Sequence, residues 1–283
     1  MTIQPGVSFP RTHKALELLS SSQPLVIGHR GAARWAPENT LPSFNLGLQS
    51  RADMIELDYH HSSDGVPMVI HDPTLYRTTD AAARWGKRRV AVKETLCADL
   101  QTLDAGEWFS PQFRDARIAT LNEALAAIQV SAATLIERKS GDAASCLKVL
   151  RQGQWVNEVI VQAFDWDFLR DLHRLEPTQV LGALGPPPLR TVRSVRAARR
   201  ELTSSWIDAL LDTGVRVVGW NSKVTRDGVA YAHDRQLKVF VYTVNDEAEA
   251  NRLLDLGVDG LISDDPALIR MVIEGRCQKG AKA

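Results

Sequence analysis

His29-Arg30-Gly31, Glu56-Leu57-Asp58 and His71-Asp72 bring two imidazoles, a guanidinium and a pair of carboxylates into one short stretch of chain. Metal-assisted cleavage of a phosphodiester needs that inventory: carboxylate oxygens for a divalent cation, and side chains able to carry charge and protons. Taken alone, Glu-x-Asp is more often the acidic edge of a strand, and a histidine on a turn is more often a surface or capping residue. The combination carries weight because every member stands where a strand is ending.

Leu25-Val26-Ile27-Gly28 is a short apolar run bounded by Pro24 and by His29-Arg30-Gly31, and it reads as a strand. Asp53 to Asp58 reads as a second, with Met54, Glu56 and Asp58 on one face and Ile55, Leu57 and Tyr59 on the other. Carboxylates two residues apart on one face are separated by roughly 6.6 Å of backbone, so their side chains can converge on one ion. Asp64-Gly65 supplies a hairpin turn, after which Val66 to Ile70 returns and delivers His71-Asp72-Pro73 beside them.

From Leu25 onward short β-like runs alternate with helical patterns. Strands are predicted near 25–29, 53–58, 133–137, 158–162, 179–183, 215–219, 237–242 and 258–262, and helices near 41–50, 120–129, 143–152, 166–175, 203–213, 225–235, 246–256 and 265–274. Thr40 is the predicted N-cap of the first of these, with Pro42 in its first turn. That rhythm predicts an α/β chain folded as a (β/α)8 TIM barrel over 24–276, whose chemistry belongs at the C-terminal strand ends. Residues 1–23 are expected to form a lead-in with a short helix around Lys14 to Leu19 closing the barrel bottom, and 277–283 a polar tail. The stretch from about 73 to 119 is too long for a βα loop and is expected to be a small insertion after the second strand, packed over the mouth, with a helix near 93–103. Lys87-Arg88-Arg89 reads as a solvated loop, and Arg190, Arg193, Arg196, Arg199 and Arg200, following Gly185-Pro186-Pro187-Pro188, as a solvated helix face.

The 283 residues are 44% hydrophobic and balance 34 basic against 34 acidic side chains, so a single barrel can bury its core and nothing in the charge predicts nucleic-acid binding. Cys97, Cys146 and Cys277 have no metal-ligand spacing and read as reduced thiols. With no apolar run of signal-peptide or membrane-spanning length, the expected location is the cytoplasm.

Leu135-Ile136-Glu137-Arg138-Lys139 ends the third strand with Glu137 and Lys139 on one face. Glu137 can complete a three-carboxylate site with Glu56 and Asp58, and Lys139 offers a positive charge to a phosphate. An all-oxygen set predicts one divalent cation, Mg²⁺, Ca²⁺ or Mn²⁺, rather than zinc. Trp220 and Tyr242, at the ends of the sixth and seventh strands, are expected to wall the leaving-group side of a small-molecule pocket, with core packing the equal alternative for each. Asp264 or Asp265 is expected to cap the helix beginning at Pro266.

In order and spacing, Gly28-His29-Arg30-Gly31, Pro37-Glu38-Asn39-Thr40-Leu41, Ile55-Glu56-Leu57-Asp58, Asp64-Gly65-Val66-Pro67, His71-Asp72-Pro73-Thr74-Leu75, Glu137-x-Lys139, Tyr242-Thr243-Val244-Asn245 and Asp259-Gly260 resemble the glycerophosphodiester phosphodiesterases, most of all their cytosolic bacterial branch. The resemblance implies Glu56, Asp58 and Glu137 as metal ligands, His29 and His71 as the acid/base pair, and Arg30 and Lys139 as holders of phosphate oxygens. The implied reaction converts a glycerophosphodiester to glycerol 3-phosphate and an alcohol such as choline, ethanolamine or glycerol. Three positions depart from the family pattern. His60-His61 follows the acidic motif, Tyr242 replaces a usual tryptophan, and Ala119 a frequent proline. Two other readings use the same residues: a phosphodiesterase of the lysophospholipase D type, which needs an apolar groove, and a barrel that binds phosphodiesters without turnover. A metal amidohydrolase is disfavoured because the first strand lacks His-x-His.

Overall fold

The computed structural model describes residues 14–86, 90–187 and 201–280, so Lys87-Arg88-Arg89 and the arginines from Arg190 to Arg200 lie outside the described residues. In chain order the elements are α1 (Lys14–Leu19), β1 (Leu25–Gly28), α2 (Leu41–Gln49), β2 (Met54–His61), β3 (Pro67–Val69), α3 (Ala81–Trp85), α4 (Cys97–Leu100), α5 (Leu121–Ile128), β4 (Ala133–Arg138), α6 (Ala143–Gln152), β5 (Val159–Ala163), α7 (Trp166–Leu175), β6 (Leu181–Gly185), α8 (Ser204–Leu210), β7 (Val217–Asn221), α9 (Arg226–His233), β8 (Lys238–Tyr242), α10 (Glu247–Leu256), β9 (Gly260–Ser263) and α11 (Pro266–Gly280).

Among the described residues all nine strands join one sheet, in the order β1-β9-β8-β7-β6-β5-β4-β2-β3, and β1 also pairs with β2. The eight parallel strands therefore close into a (β/α)8 barrel, while β3 hangs antiparallel from β2. Short runs rich in Val, Ile and Leu form strands buried on both faces, as a parallel sheet with helices outside requires. Alternation divides their side chains between two cores. Leu25, Ile27, Met54, Leu135, Ile160, Val217, Phe240 and Ile262 fill the barrel interior with Ala15 and Leu19 of α1. Val26, Ile55, Leu57, Ile136, Val161, Val218 and Val241 pack outward with helix residues such as Leu125, Leu169 and Leu253.

Strand β2 runs three residues past the predicted end because Tyr59, His60 and His61 pair with Val69, Met68 and Pro67 of β3. The helix predicted near 93–103 is instead a 3-10 turn at Val92–Glu94 and the single turn α4, with Thr95 and Leu96 extended between them. There the Asp64 carboxylate accepts the Cys97 N–H at 2.9 Å, so the chain is fastened to the hairpin rather than continued as helix. The segment from 73 to 119 has its own core, in which Leu75, Val92, Leu100, Leu103 and Ile118 meet Met68 and Ile70. Thr40 stands at the N-cap position of α2, but its hydroxyl donates to the Pro37 carbonyl at 2.6 Å and caps nothing.

Candidate active site

Strand β2 points Glu56 and Asp58 inward above Met54, and β4 does the same with Glu137 above Leu135. Asp58 and Glu137 are direct neighbours in the parallel register. All three carboxylates are buried, and one oxygen from each lies within 4.8 Å of the others. Lys139, two residues along the same face, sets its Nζ 3.1 Å from Asp58 Oδ1 and also pairs with Glu137.

The loop after β1 folds over this cluster. Arg30, Gly31 and Asn39 all adopt left-handed backbone conformations, with φ of 51°, 96° and 58°. Gly31 is obligatory, since a Cβ there would lie 2.4–2.6 Å from Ser43 Oγ, C and O. The turn aims the Arg30 N–H at Glu56 Oε2 (2.9 Å) and brings Arg30 Nε within 3.2 Å of Asp58 Oδ2. Asn39 completes the cradle by donating its amide to Asp58 Oδ2 (2.9 Å) and accepting the Asp58 N–H (3.2 Å).

Each predicted histidine is held by a carboxylate. His29 Nδ1–H donates to Asp264 Oδ1 at 2.6 Å and His71 Nδ1–H to Asp72 Oδ1 at 2.7 Å. Because a carboxylate only accepts, both rings carry the proton on Nδ1 and leave Nε2 for chemistry. Asp264 is itself fixed by Asn245, which donates to Oδ2 at 2.6 Å and accepts the Asp264 N–H. His60 Nε2–H donates to the His71 carbonyl at 3.0 Å, so one of the two unexpected histidines steadies the turn.

The electrostatics separate the two imidazoles. Burial pulls His29 down, but the Asp264 hydrogen bond and the Glu56 charge outweigh it, and the net displacement is upward. For His71 burial wins: with Arg30 and Lys139 it exceeds the pull of Asp58 and Asp72, and the ring is held below its ordinary value. Among the carboxylates, burial and the Asp58 charge push Glu56 up to about 7 and Glu137 up to about 8. Asp58 feels burial too, yet Lys139, Arg30, His71 and the Asn39 hydrogen bond hold it well below the carboxylate range. Three buried carboxylates that cannot all ionise at neutral pH are short of positive charge. Their donor set fits a hard, oxygen-preferring divalent cation.

Tyr242 lies on the inward face of β8, donates its O–H to the Gly185 carbonyl at 2.7 Å and meets Phe164 edge-on. Burial and Glu137 push its hydroxyl pKa upward. Trp220 corrects an expectation. It is fully buried on the outward face of β7, stacked in the helix layer with Trp206, and does not reach the mouth. On that strand Gly219 and Asn221 take the inward positions. Of the two candidate caps Asp265 caps α11, accepting the Leu268 N–H at 3.2 Å, while Asp264 holds His29. The sequence assigned no site role to the supporting residues Asn39, Glu38, Arg77, Asn245 and Asp264, although Glu38, Asn39 and Asn245 stand in its motifs. For Asp264 a signal existed, because it continues the Gly260, Ile262 face of the strand that closes against β1.

Residues 29–268 match the model of the glycerophosphoryl diester phosphodiesterase family. A glycerophosphodiester phosphodiesterase of Bacillus subtilis is 31% identical, with 91% of this chain and 89% of the relative aligned. One from Caldanaerobacter subterraneus subsp. tengcongensis is 30% identical over 89% of this chain and 98% of its own. Among solved structures, an Oleispira antarctica phosphodiesterase in complex with its product sn-glycerol-3-phosphate superposes with a TM-score of 0.78 at 28% identity, covering 90% of this chain and 99% of that one. The inward carboxylates, the carboxylate-held histidines and these likenesses agree, and the chain belongs to the glycerophosphoryl diester phosphodiesterase family.

Proposed function

We propose that the protein hydrolyses glycerophosphodiesters such as glycerophosphocholine and glycerophosphoethanolamine to glycerol 3-phosphate and the free alcohol, with one divalent cation held by Glu56, Asp58 and Glu137. The observation that carries this reading is the pair of imidazoles, each tied by Nδ1 to a carboxylate, beside a buried three-carboxylate cluster. When bound, the cation supplies Lewis-acid neutralisation of the phosphodiester. Arg30 and Lys139 hold phosphate oxygens and lower the cost of bringing an anion onto three acidic groups. His71, displaced downward, is neutral near pH 7 and takes the proton of the attacking oxygen at Nε2. His29, displaced upward, is the imidazole better held in its protonated form and is assigned to give its Nε2 proton to the departing alkoxide. Attack by water gives product directly with one such pair of proton transfers; attack by the glycerol 2-hydroxyl gives a cyclic phosphate with the same pair, and its opening by water repeats the pair with the roles of the two imidazoles exchanged. Tyr242, on the inward face, is assigned to the substrate pocket wall.

The decisive assay is release of the free alcohol from several glycerophosphodiesters and from lysophosphatidylcholine, with glycerol 3-phosphate or lysophosphatidate identified as the other product, after chelation and after readdition of Mg²⁺, Ca²⁺ or Mn²⁺. Release is expected from the deacylated substrates only and only with a cation restored. Failure to cleave any deacylated glycerophosphodiester with any of the three cations refutes the proposal, and preferential cleavage of the acylated compound replaces it by a lysophospholipase D activity.

The Asp264→Asn variant tests the acid assignment through pH. In the parent, kcat/KM rises as His71 loses its proton and falls as His29 loses its own. Removing the Asp264 charge removes the largest influence holding His29 up, so the basic limb moves to lower pH while the acid limb stays. A profile that moves on its acid limb instead assigns the roles the other way round.

A further inference from the structure

Arg77 belongs to the insertion, yet its guanidinium closes a chain of charges that runs between the two halves of the site. Its Nη1 and Nη2 donate to Glu38 Oε2 (2.6 Å) and Oε1 (2.8 Å), and its Nε and Nη2 donate to Asp72 Oδ2 (2.8 Å) and Oδ1 (2.9 Å). Both carboxylates have a second partner. Glu38 Oε1 also accepts from Arg30 Nη1 at 2.7 Å, and Asp72 Oδ1 also accepts from His71 Nδ1 at 2.7 Å. One planar side chain thus forks onto two carboxylates, each of which orients a residue assigned to phosphate or proton handling.

We propose that Arg77 is a positioning residue that sets Arg30 and His71 together, so that the insertion governs the alignment of phosphate binding with proton transfer. The inference rests on the phosphodiesterase reading above for its kinetic consequences and on geometry alone for the residues it orients. Without Arg77, Glu38 has Arg30 as its remaining cationic partner and draws that guanidinium away from a bound phosphate. Asp72 loses both hydrogen bonds that fix its plane and can rotate out of reach of His71 Nδ1, so that the ring no longer presents Nε2. Arg77 is 42% exposed, and ion pairs at such positions add little to stability, so its effect falls on alignment rather than folding. Lysine is no substitute, since one ammonium cannot place planar donors on four oxygens at once.

The test compares the parent with Arg77→Ala and Arg77→Lys, using glycerophosphocholine with cation present, and follows the His71 ring nitrogens by NMR. Expected for both variants are a kcat lower by about 10–100-fold, the range typical of lost outer-shell partners, and a raised KM, with Tm within about 2 °C of the parent. Millimolar guanidinium, but not methylammonium, should restore part of kcat to Arg77→Ala. In the parent His71 should be the Nδ1–H tautomer, and in both variants a mixture. Parent-like kcat in Arg77→Lys, or a pure Nδ1–H tautomer in Arg77→Ala, overturns the proposal. An inactive parent would count against the phosphodiesterase reading alone, because the tautomer measurement still decides the role of Arg77.

Discussion

Replacing His29 or His71 by alanine is expected to lower kcat by about 10²–10⁴-fold, the range of a lost general acid or base, with KM changed far less. The separation follows from the geometry. Arg30 reaches Glu56 through its backbone and Asp58 through its side chain, and Lys139 reaches Asp58 and Glu137, so the groups proposed to bind substrate survive either substitution. The double variant should be little worse than the poorer single one, because proton removal and proton donation serve one displacement. Each variant also loses a different side of the pH profile. The parent rises through the His71 limb, below the ordinary histidine value, and falls through the His29 limb, above it. With cation saturating at every pH, His71→Ala should flatten the acid side and His29→Ala the basic side. Turnover within a few-fold of the parent in either variant would falsify the assignment of that histidine.

Asp58→Asn, Glu56→Gln and Glu137→Gln should each abolish cation-dependent activity, and the reason is visible in the protonation of the cluster. With no cation present Glu56 titrates at about 7 and Glu137 at about 8, both raised above their unfolded values by burial and by Asp58. A raised carboxyl contributes stability at low pH, where it is protonated in both states, and that contribution is lost as pH rises through the folded value. Cation binding must displace those protons, so affinity climbs with pH across the same interval and binding releases protons. Thermal stabilisation by Mg²⁺, Ca²⁺ or Mn²⁺ is therefore expected to be slight near pH 5.5 and full above pH 8, approaching about 2.7 kcal/mol at a hundred times Kd. The three variants should lose that increment as well as activity, which separates lost binding from lost chemistry. Equal stabilisation at both pH values, or a chelator without effect on turnover, would remove the cation from Glu56, Asp58 and Glu137.

The barrel was legible in the sequence because its signals are local. Short Val/Ile/Leu runs alternating with capped amphipathic helices identify βα units, and the predicted barrel strands and helices recur within a few residues of their observed limits, except that α11 runs six residues past its predicted end at 274 into the stretch read as a polar tail. Within β2 and β4 the two-residue repeat sorts side chains without knowledge of any neighbour, so Glu56 with Asp58, and Glu137 with Lys139, could be assigned to shared faces from spacing alone. The same repeat did not place Trp220. A parallel strand covered on both sides has no polar face to distinguish inside from outside, and Val217-Val218-Gly219-Trp220 reads alike in either orientation. The insertion was legible by its length and not by its elements, since its short turns are held by the hairpin and by carboxylate-to-backbone bonds rather than by periodicity.

Local spacing determined which residues can do chemistry here and that they stand at strand ends. His71 is held by its neighbour in sequence, Asp72, but the other supports were decided by tertiary structure. Asp264 meets His29 because β9 closes against β1 at the far end of the chain, and Arg77 meets Glu38 and Asp72 because the insertion folds back across the loop after β1. Side-chain alternation is a property of one strand's backbone. Barrel closure and loop return are properties of the whole packed chain, and both fix the ring tautomers that leave Nε2 of His29 and His71 for chemistry.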